Sequence, residues 1–336
     1  MSDPAPRLLL TGGTGFIGFQ VLLMALAEGW KVRMAVRSIA ASAWIMKHPK
    51  VVALGLTDDD SLSFAEVPDI CTPNAYDEAV LGVSHVIHLA SPLPSRSLEP
   101  VKGIYEPNIK SVAAMLSATR KNPLLKKLVI TSSVFGNSPF PPVPSQRITP
   151  ESREPNLPGP FDNIVSAYWG GKTAALNAID AFIKDTHPSF SISIVFPGFV
   201  FGRDERALKL EDFLASTNRI LLGVVTGQID EDAMPAGAVD VTDAAKLHVL
   251  ALRPDAPVNL GCTVPHVFED AWDAVAKHFP AAVKDGVLTK GSLPTIPVNW
   301  DASETEAKLG FKFRTWEDMV VDTVGQYLEL SGHERA

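Results

Sequence analysis

The chain has 336 residues, enough for one large domain or one and a half. With 46% hydrophobic and 20% charged residues it reads as a compact soluble protein, and no apolar run approaches the roughly 20 residues of a membrane span. A net charge of -8 argues against a general affinity for nucleic acid or anionic membranes, and the two cysteines, Cys71 and Cys262, supply neither a disulfide framework nor a metal spacing. A reducing, cytoplasmic setting is expected, and Asp3, Pro4 and Pro6 ahead of the first strand argue against a cleaved signal.

In chain order, the apolar run at Arg7-Leu8-Leu9-Leu10 predicts a strand over 7–11, and the apolar segment ending near Gly29 predicts a helix over 15–28. Between them stands Thr11-Gly12-Gly13-Thr14-Gly15-Phe16-Ile17-Gly18, with glycines at 12, 15 and 18. A turn of this kind needs glycine where its backbone passes close to a bulky anion, and the helix behind it points N–H groups at a pyrophosphate. The spacing is GxxGxxG rather than GxGxxG, and its place between strand and helix is what gives it weight. Further strands are predicted near 31–36, 62–68, 83–89, 126–132 and 190–196, with helices near 74–81, 102–121 and 166–186. This alternation predicts an α/β fold, a doubly wound parallel Rossmann sheet with helices on both faces. Residues 134–165 carry eight prolines, from Pro139 to Pro160, and are predicted as a long functional loop. After Gly202 the elements shorten. The expected division is a dinucleotide-binding domain over 1–200 and a smaller substrate-binding lobe over 201–336, with the chain crossing back at a soft boundary.

A second constellation follows. Tyr168-Trp169-Gly170-Gly171-Lys172 puts a phenol and an ammonium at i and i+4, on one helix face. A nearby cation favours the phenolate, so the pair suits a proton donor and acceptor working near neutral pH. Ser132 and Ser133 end the strand predicted at 126–132, at the sheet edge where ligands bind, and a serine there can hold a carbonyl oxygen beside the tyrosine.

With these motifs in order, the sequence resembles an extended short-chain dehydrogenase/reductase over nearly its whole length, from Thr11–Gly18 to Leu309-Gly310-Phe311. Val36-Arg37-Ser38, Val67-Pro68-Asp69-Ile70, His88-Leu89-Ala90-Ser91-Pro92, Thr131-Ser132-Ser133, Pro197-Gly198-Phe199-Val200-Phe201-Gly202 and Val239-Asp240-Val241 are similar to its dihydroflavonol reductase, cinnamoyl-CoA reductase and fungal aldehyde/ketone reductase branch. The resemblance implies that Tyr168 is the general acid in carbonyl reduction and the base in alcohol oxidation. It implies that Lys172 holds the nicotinamide ribose and lowers the Tyr168 pKa, and that Ser133 orients the carbonyl. Asn108 matches an asparagine that supports a proton-relay water, and reads equally as a helix-packing residue. Asp69 and Ile70 match a pair beside the adenine, and the Pro197-Gly198-Val200 stretch one beside the nicotinamide; Leu89, Ala90, Ser91 and Thr131 fall in cofactor-lining motifs.

The second strand ends without an acid, and Arg37 with Ser38 stands where a ribose 2′-phosphate needs a planar donor fork, so NADP(H) is favoured over NAD(H). Arg37 as a solvated surface charge is the alternative. No charge follows in Ile39-Ala40-Ala41-Ser42-Ala43, where relatives often carry a second basic residue, so weaker discrimination is expected. Gly171 stands where relatives mostly have serine, and Trp169-Gly170-Gly171 is a poor helix former, which predicts a late or loose helix start. The acidic run Asp58–Asp60 reads as a solvated turn, and no metal site is expected anywhere. Gly171-Lys172-Thr173 cannot end a P-loop, because its first glycine would fall at Ser166. No GxSxG elbow occurs, and His248 reads as a packed helix residue.

For the substrate, Phe135, Phe140 and Phe161, with Asn137 and Ser138 as polar additions, are expected to present an apolar wall. Such a wall suits an apolar or aromatic aldehyde or ketone. A nucleotide sugar would ask for converging basic residues, and those of 203–236 are interleaved with acids. The expected protein is a monomeric or homodimeric NADPH-dependent carbonyl reductase. A nucleotide-sugar epimerase or dehydratase on the same fold, or a non-catalytic cofactor sensor, are the other readings.

Overall fold

The structure, a computed structural model, describes residues 7–56, 60–95 and 97–333. Asp3, Pro4 and Pro6, and Asp58 and Asp59 of the acidic turn, lie outside the described residues; Asp60, within them, pairs with Arg7 and Lys31.

Seven strands make one sheet: β1 (Arg7–Thr11), β2 (Lys31–Val36), β3 (Leu62–Glu66), β4 (His85–His88), β5 (Lys127–Thr131), β6 (Ser191–Pro197) and β7 (Asn259–Cys262). Their order is β7-β6-β5-β4-β1-β2-β3, and the pairs from β6 through β3 are all parallel. The order reverses between β1 and β4, and ligands bind beyond the carboxyl ends of strands at such a switch point. The central strands are apolar runs because both their faces are covered: Leu8, Leu9, Leu10, Val86, Ile87, Leu128 and Val129 are fully buried.

Three long helices serve the sheet: α1 (Phe16–Ala27), α2 (Glu106–Arg120) and α3 (Ile164–Thr186). Pro100–Tyr105 wind as a wider π-helix that runs straight into α2. Met115 and Leu116 of α2 and Leu176 and Ile179 of α3 share one core with Leu128, Ile130 and Ile194 of the sheet.

Two expectations are corrected. The helix predicted over 74–81 is a chain of turns. Asn74 takes a left-handed φ of 64°, and bonds such as Asp77 N–H to Asn74 O and Leu81 N–H to Glu78 O span three residues. The apolar spacing there reports Tyr76, Ala79 and Val80 entering the core rather than a helical face. The Trp169-Gly170-Gly171 stretch, in contrast, sits inside an unbroken α3, begun at Asn163 whose side chain accepts from Ser166 N–H.

The described chain divides into two compact units. The first runs through Phe140 and adds Glu151–Phe196 and Ala245–Leu260; the second holds Pro141–Pro150, Pro197–Ala244 and the chain from Gly261. The second unit has short parallel pairs, Phe199–Phe201 with Ala238–Asp240 and Arg147–Ile148 with Asn299–Trp300, and an isolated antiparallel bridge between Ala238 and Val264. Its own core gathers Phe201, Phe213, Leu221, Phe268, Met319 and Val320.

Candidate active site

The turn after β1 is shaped by glycine contacts that leave no room for side chains. Gly12 has φ +71°, and a Cβ there would lie 2.9 Å from Ala90 N. A Cβ on Gly18 would lie 2.1 Å from Gly12 O, so the first turn of α1 packs directly on the backbone it leaves. Thr11 ties the strand ends together: its hydroxyl meets His88 Nδ1 at 2.9 Å and accepts from Ala90 N–H at 3.0 Å. Gly15 is the N-cap of α1, and no side chain caps that end. Thr14 is exposed beside it, with Phe16 and Ile17 half-buried in the first turn. A glycine cradle opening onto an uncapped helix start fits the pyrophosphate of a dinucleotide.

At the end of β2, Arg37 is exposed and Ser38 N-caps the short helix Ile39–Ser42, its hydroxyl accepting from Ala41 N–H at 3.3 Å. A guanidinium and a hydroxyl side by side fit a 2′-phosphate. Asp69 turns its carboxylate onto its own loop, accepting from Cys71 N–H at 2.8 Å and Thr72 Oγ1 at 3.1 Å, while Ile70 packs partly against the core. Leu89, Ala90 and Ser91 follow β4 half-buried. Thr131, at the end of β5, is bonded at 2.8 Å to Nε2 of the buried His248. Pro197, Gly198 and Val200 belong to the second unit, where Gly198 N–H bonds Cys262 O at 3.1 Å.

The structure brings Ser133, Tyr168, Lys172 and Asn108 together in the first unit. Ser133 N-caps the short 3-10 turn Val134–Gly136 after β5, its hydroxyl accepting from Phe135 N–H at 3.3 Å, and the same side chain acts on the Tyr168 phenol to lower its pKa. Lys172 Nζ lies 5.6 Å from the Tyr168 ring centroid and donates to Ser91 Oγ at 2.9 Å. Ser91 Oγ donates in turn to Asn108 Oδ1 at 2.8 Å, and Asn108 Nδ2 donates to Ile104 O, on the π-helix, at 2.8 Å. Asn108 is buried, and it ends a bonded chain from the lysine.

The electrostatics differ from expectation. Burial pushes the Tyr168 phenol up to about 12, with the Ser133 bond pulling the other way, and burial pulls Lys172 down to about 8. Burial is the largest influence on both groups, and it moves the phenol away from the neutral range rather than towards it.

Aromatic rings surround Tyr168. Phe135 meets it edge-on at 6.0 Å and stacks on Trp169 at 4.3 Å; Phe161 lies against Tyr105 at 4.5 Å. Phe140, 39% exposed, tilts onto Trp169 at 5.1 Å. Asn137 is fully buried, and the Ser138 hydroxyl donates to Val134 O at 2.7 Å. Tyr105 and Trp169 are the members that sequence reasoning missed; the aromatic three residues before Asn108 was the available signal for the first.

The glycines of α3 account for this packing. A Cβ on Gly170 would lie 2.6 Å from the Phe161 ring, and one on Gly171 3.1 Å from Tyr105 O and 3.2 Å from Asn108 Cβ. Close approach of α3 to Phe161 and to the π-helix overrides the poor helix propensity of the pair.

Among the described residues no group of acids, histidines and cysteines is placed to hold a metal ion, and no helix is long and apolar enough to cross a membrane.

Comparison with known proteins agrees with this geometry. Residues 8–261 match the NAD dependent epimerase/dehydratase family. The chain is 35% identical to the ketoreductase CTB6 of Cercospora beticola, covering 96% of this chain and 95% of that protein. It is 31% identical to the NAD-dependent epimerase/dehydratase ALT6 of Alternaria alternata, over 98% of this chain and all of that one. Among solved structures, Gre2 of Candida albicans in complex with NADPH superimposes with a TM-score of 0.82 at 26% identity, covering 97% of this chain and 99% of that one. The chain belongs to the NAD dependent epimerase/dehydratase family, within the extended short-chain dehydrogenase/reductases.

Proposed function

We propose that the protein reduces the carbonyl of an apolar or aromatic aldehyde or ketone, with Tyr168, Ser133 and Lys172 as its working residues. It is an NADP(H)-linked oxidoreductase of the carbonyl and CH–OH group; the ketoreductase and Gre2 relatives support this, as does the absence of an acid at the end of β2. The observation that carries the residue roles is that Ser133, Tyr168 and Lys172 stand together beside a ring of aromatics, with Lys172 bonded through Ser91 to Asn108.

When bound, the reduced nicotinamide supplies the hydride to the carbonyl carbon. Ser133 holds the carbonyl oxygen, and Tyr168 delivers its phenolic proton to that oxygen as charge develops on it. Burial keeps the phenol protonated, as the proton donor of a carbonyl reduction must be. Lys172 holds the ribose hydroxyls and keeps positive charge near the phenol. Phe135 and Phe161 present apolar faces beside Tyr168, which suits an apolar or aromatic carbonyl. Kinship with the dihydroflavonol and cinnamoyl-CoA reductase branch, a cytosolic location, and a monomer or homodimer acting on a small molecule complete the reading.

The test follows loss of reduced-nicotinamide absorbance with a panel of aryl and alkyl aldehydes, ketones and diketones, NADPH and NADH in parallel. Substrate-dependent loss that is faster with NADPH is expected. Tyr168→Phe should lower kcat by about 1,000-fold while NADPH binding stays within twofold. Full turnover in that variant overturns the mechanism. No consumption with any carbonyl, together with tightly retained NAD⁺, moves the chain to the epimerases.

A further inference from the structure

Resting on the assignment of Arg37 and Ser38 to the 2′-phosphate, we infer that Glu66 sets how strongly the protein distinguishes NADPH from NADH. Glu66 is the last residue of β3, paired in register with Val36, the last of β2. Its side chain is exposed, and Oε2 accepts from Ile39 N–H at 3.0 Å. Ile39 directly follows Arg37-Ser38, so a carboxylate lies against the segment that would receive a dianionic phosphate. The bond fixes it there: strand pairing sets where the side chain starts, and Ile39 N–H sets where it ends.

Three consequences follow from charge alone. A 2′-phosphate brought beside Arg37 meets repulsion from Glu66, which offsets part of the guanidinium's attraction. A ribose 2′-OH meets no such repulsion, and Glu66 can accept from it, in the manner of the acid that NAD enzymes carry on β2. The sequence that follows, from Ser38 to Met46, adds no second cation to Arg37. The site therefore accepts both cofactors, with a preference for NADPH that Glu66 keeps small.

The experiment titrates the full-length protein with NADPH, NADH, 2′,5′-ADP and 5′-AMP by calorimetry, for the wild type, Glu66→Gln, Glu66→Lys and Arg37→Ala. Gln keeps an oxygen for Ile39 N–H and removes only the charge. The NADPH/NADH affinity ratio should rise about tenfold in Glu66→Gln and further in Glu66→Lys. The same change should appear between 2′,5′-ADP and 5′-AMP, which involve no catalysis. In Arg37→Ala the ratio should collapse towards one. A ratio unchanged within twofold in both Glu66 variants, with Arg37→Ala collapsing it, overturns the inference while leaving the cofactor site intact. A ratio insensitive to Arg37→Ala overturns the cofactor-site reading itself. Unfolding midpoints without cofactor, expected within about 2 °C of wild type for an exposed position, guard against misfolding.

Discussion

The turn Gly12–Gly18 and the helical pair Gly170-Gly171 both lack side chains beside the site, for different physical reasons. At Gly12 the backbone has φ +71°, a conformation L side chains rarely adopt, and Gly18 lies so close to the Gly12 carbonyl that nothing can yield. Gly170 and Gly171 are ordinary α-helix. Their glycines answer to neighbours on other elements: the Phe161 ring for one, the Tyr105 backbone and Asn108 for the other. In the turn the constraint is local and built of backbone. In the helix it is tertiary and, at Gly170, built of a side chain that can swing.

That contrast sets the largest expected effects. Gly18→Ala places a methyl 2.1 Å from a backbone oxygen, so the turn must open. Destabilisation of about 3 kcal/mol and a loss of NADPH binding of at least about 100-fold are expected, read by thermal unfolding and by calorimetric titration. Gly170→Ala gains about 1 kcal/mol of helix propensity and loses a similar amount in moving Phe161. Its unfolding midpoint should stay near wild type and its NADPH affinity within twofold, while KM for a bulky aryl ketone changes several-fold because Phe161 has moved. If Gly170→Ala instead loses cofactor as Gly18→Ala does, the two stretches are alike and the distinction fails.

The same contrast explains what could be read from the chain alone. The strands and the nucleotide turn were legible because their signals are local: an apolar run of strand length, then glycines at fixed offsets. Tyr168 and Lys172 were legible because an i, i+4 pair survives any packing of the helix that carries it. The misreadings lie where apolar spacing, propensity or a single neighbour does not decide. The 74–81 helix was inferred from apolar spacing, yet Asn74 takes a left-handed φ and the Asp69 carboxylate tethers Cys71 and Thr72, so the segment folds as turns. The loose start of α3 was inferred from propensity, which carries no knowledge of Phe161 or Tyr105. The pKa of Tyr168 was inferred from one neighbour, whereas burial of the whole pair governs it. Glu66 carries no signal in the sequence, because the nucleotide pattern places its acid on the second strand and not the third.

The smallest expected effect concerns the chain behind Lys172. Its ammonium donates to Ser91 Oγ at 2.9 Å, and Ser91 donates to Asn108 Oδ1, so the serine offers an accepting lone pair to a cation that burial already disfavours. Removing that acceptor in Ser91→Ala destabilises the charged form, so the Lys172 pKa falls further below its value of about 8. The sign is then fixed. Lys172 loses its charge as pH rises through its pKa, so the alkaline limb of carbonyl reduction moves to lower pH, by about one unit for the loss of one charge-assisted bond. At a pH well below both limbs, kcat should fall only a few-fold and KM for the carbonyl should hold, because Ser133 and Tyr168 keep their places. Ser91→Thr, which retains the hydroxyl, should restore the limb. A purely structural role for Ser91 would lower stability and activity at every pH and leave the limb where it was; that outcome would remove the serine from the proton chemistry and leave Lys172 to be held by its burial alone.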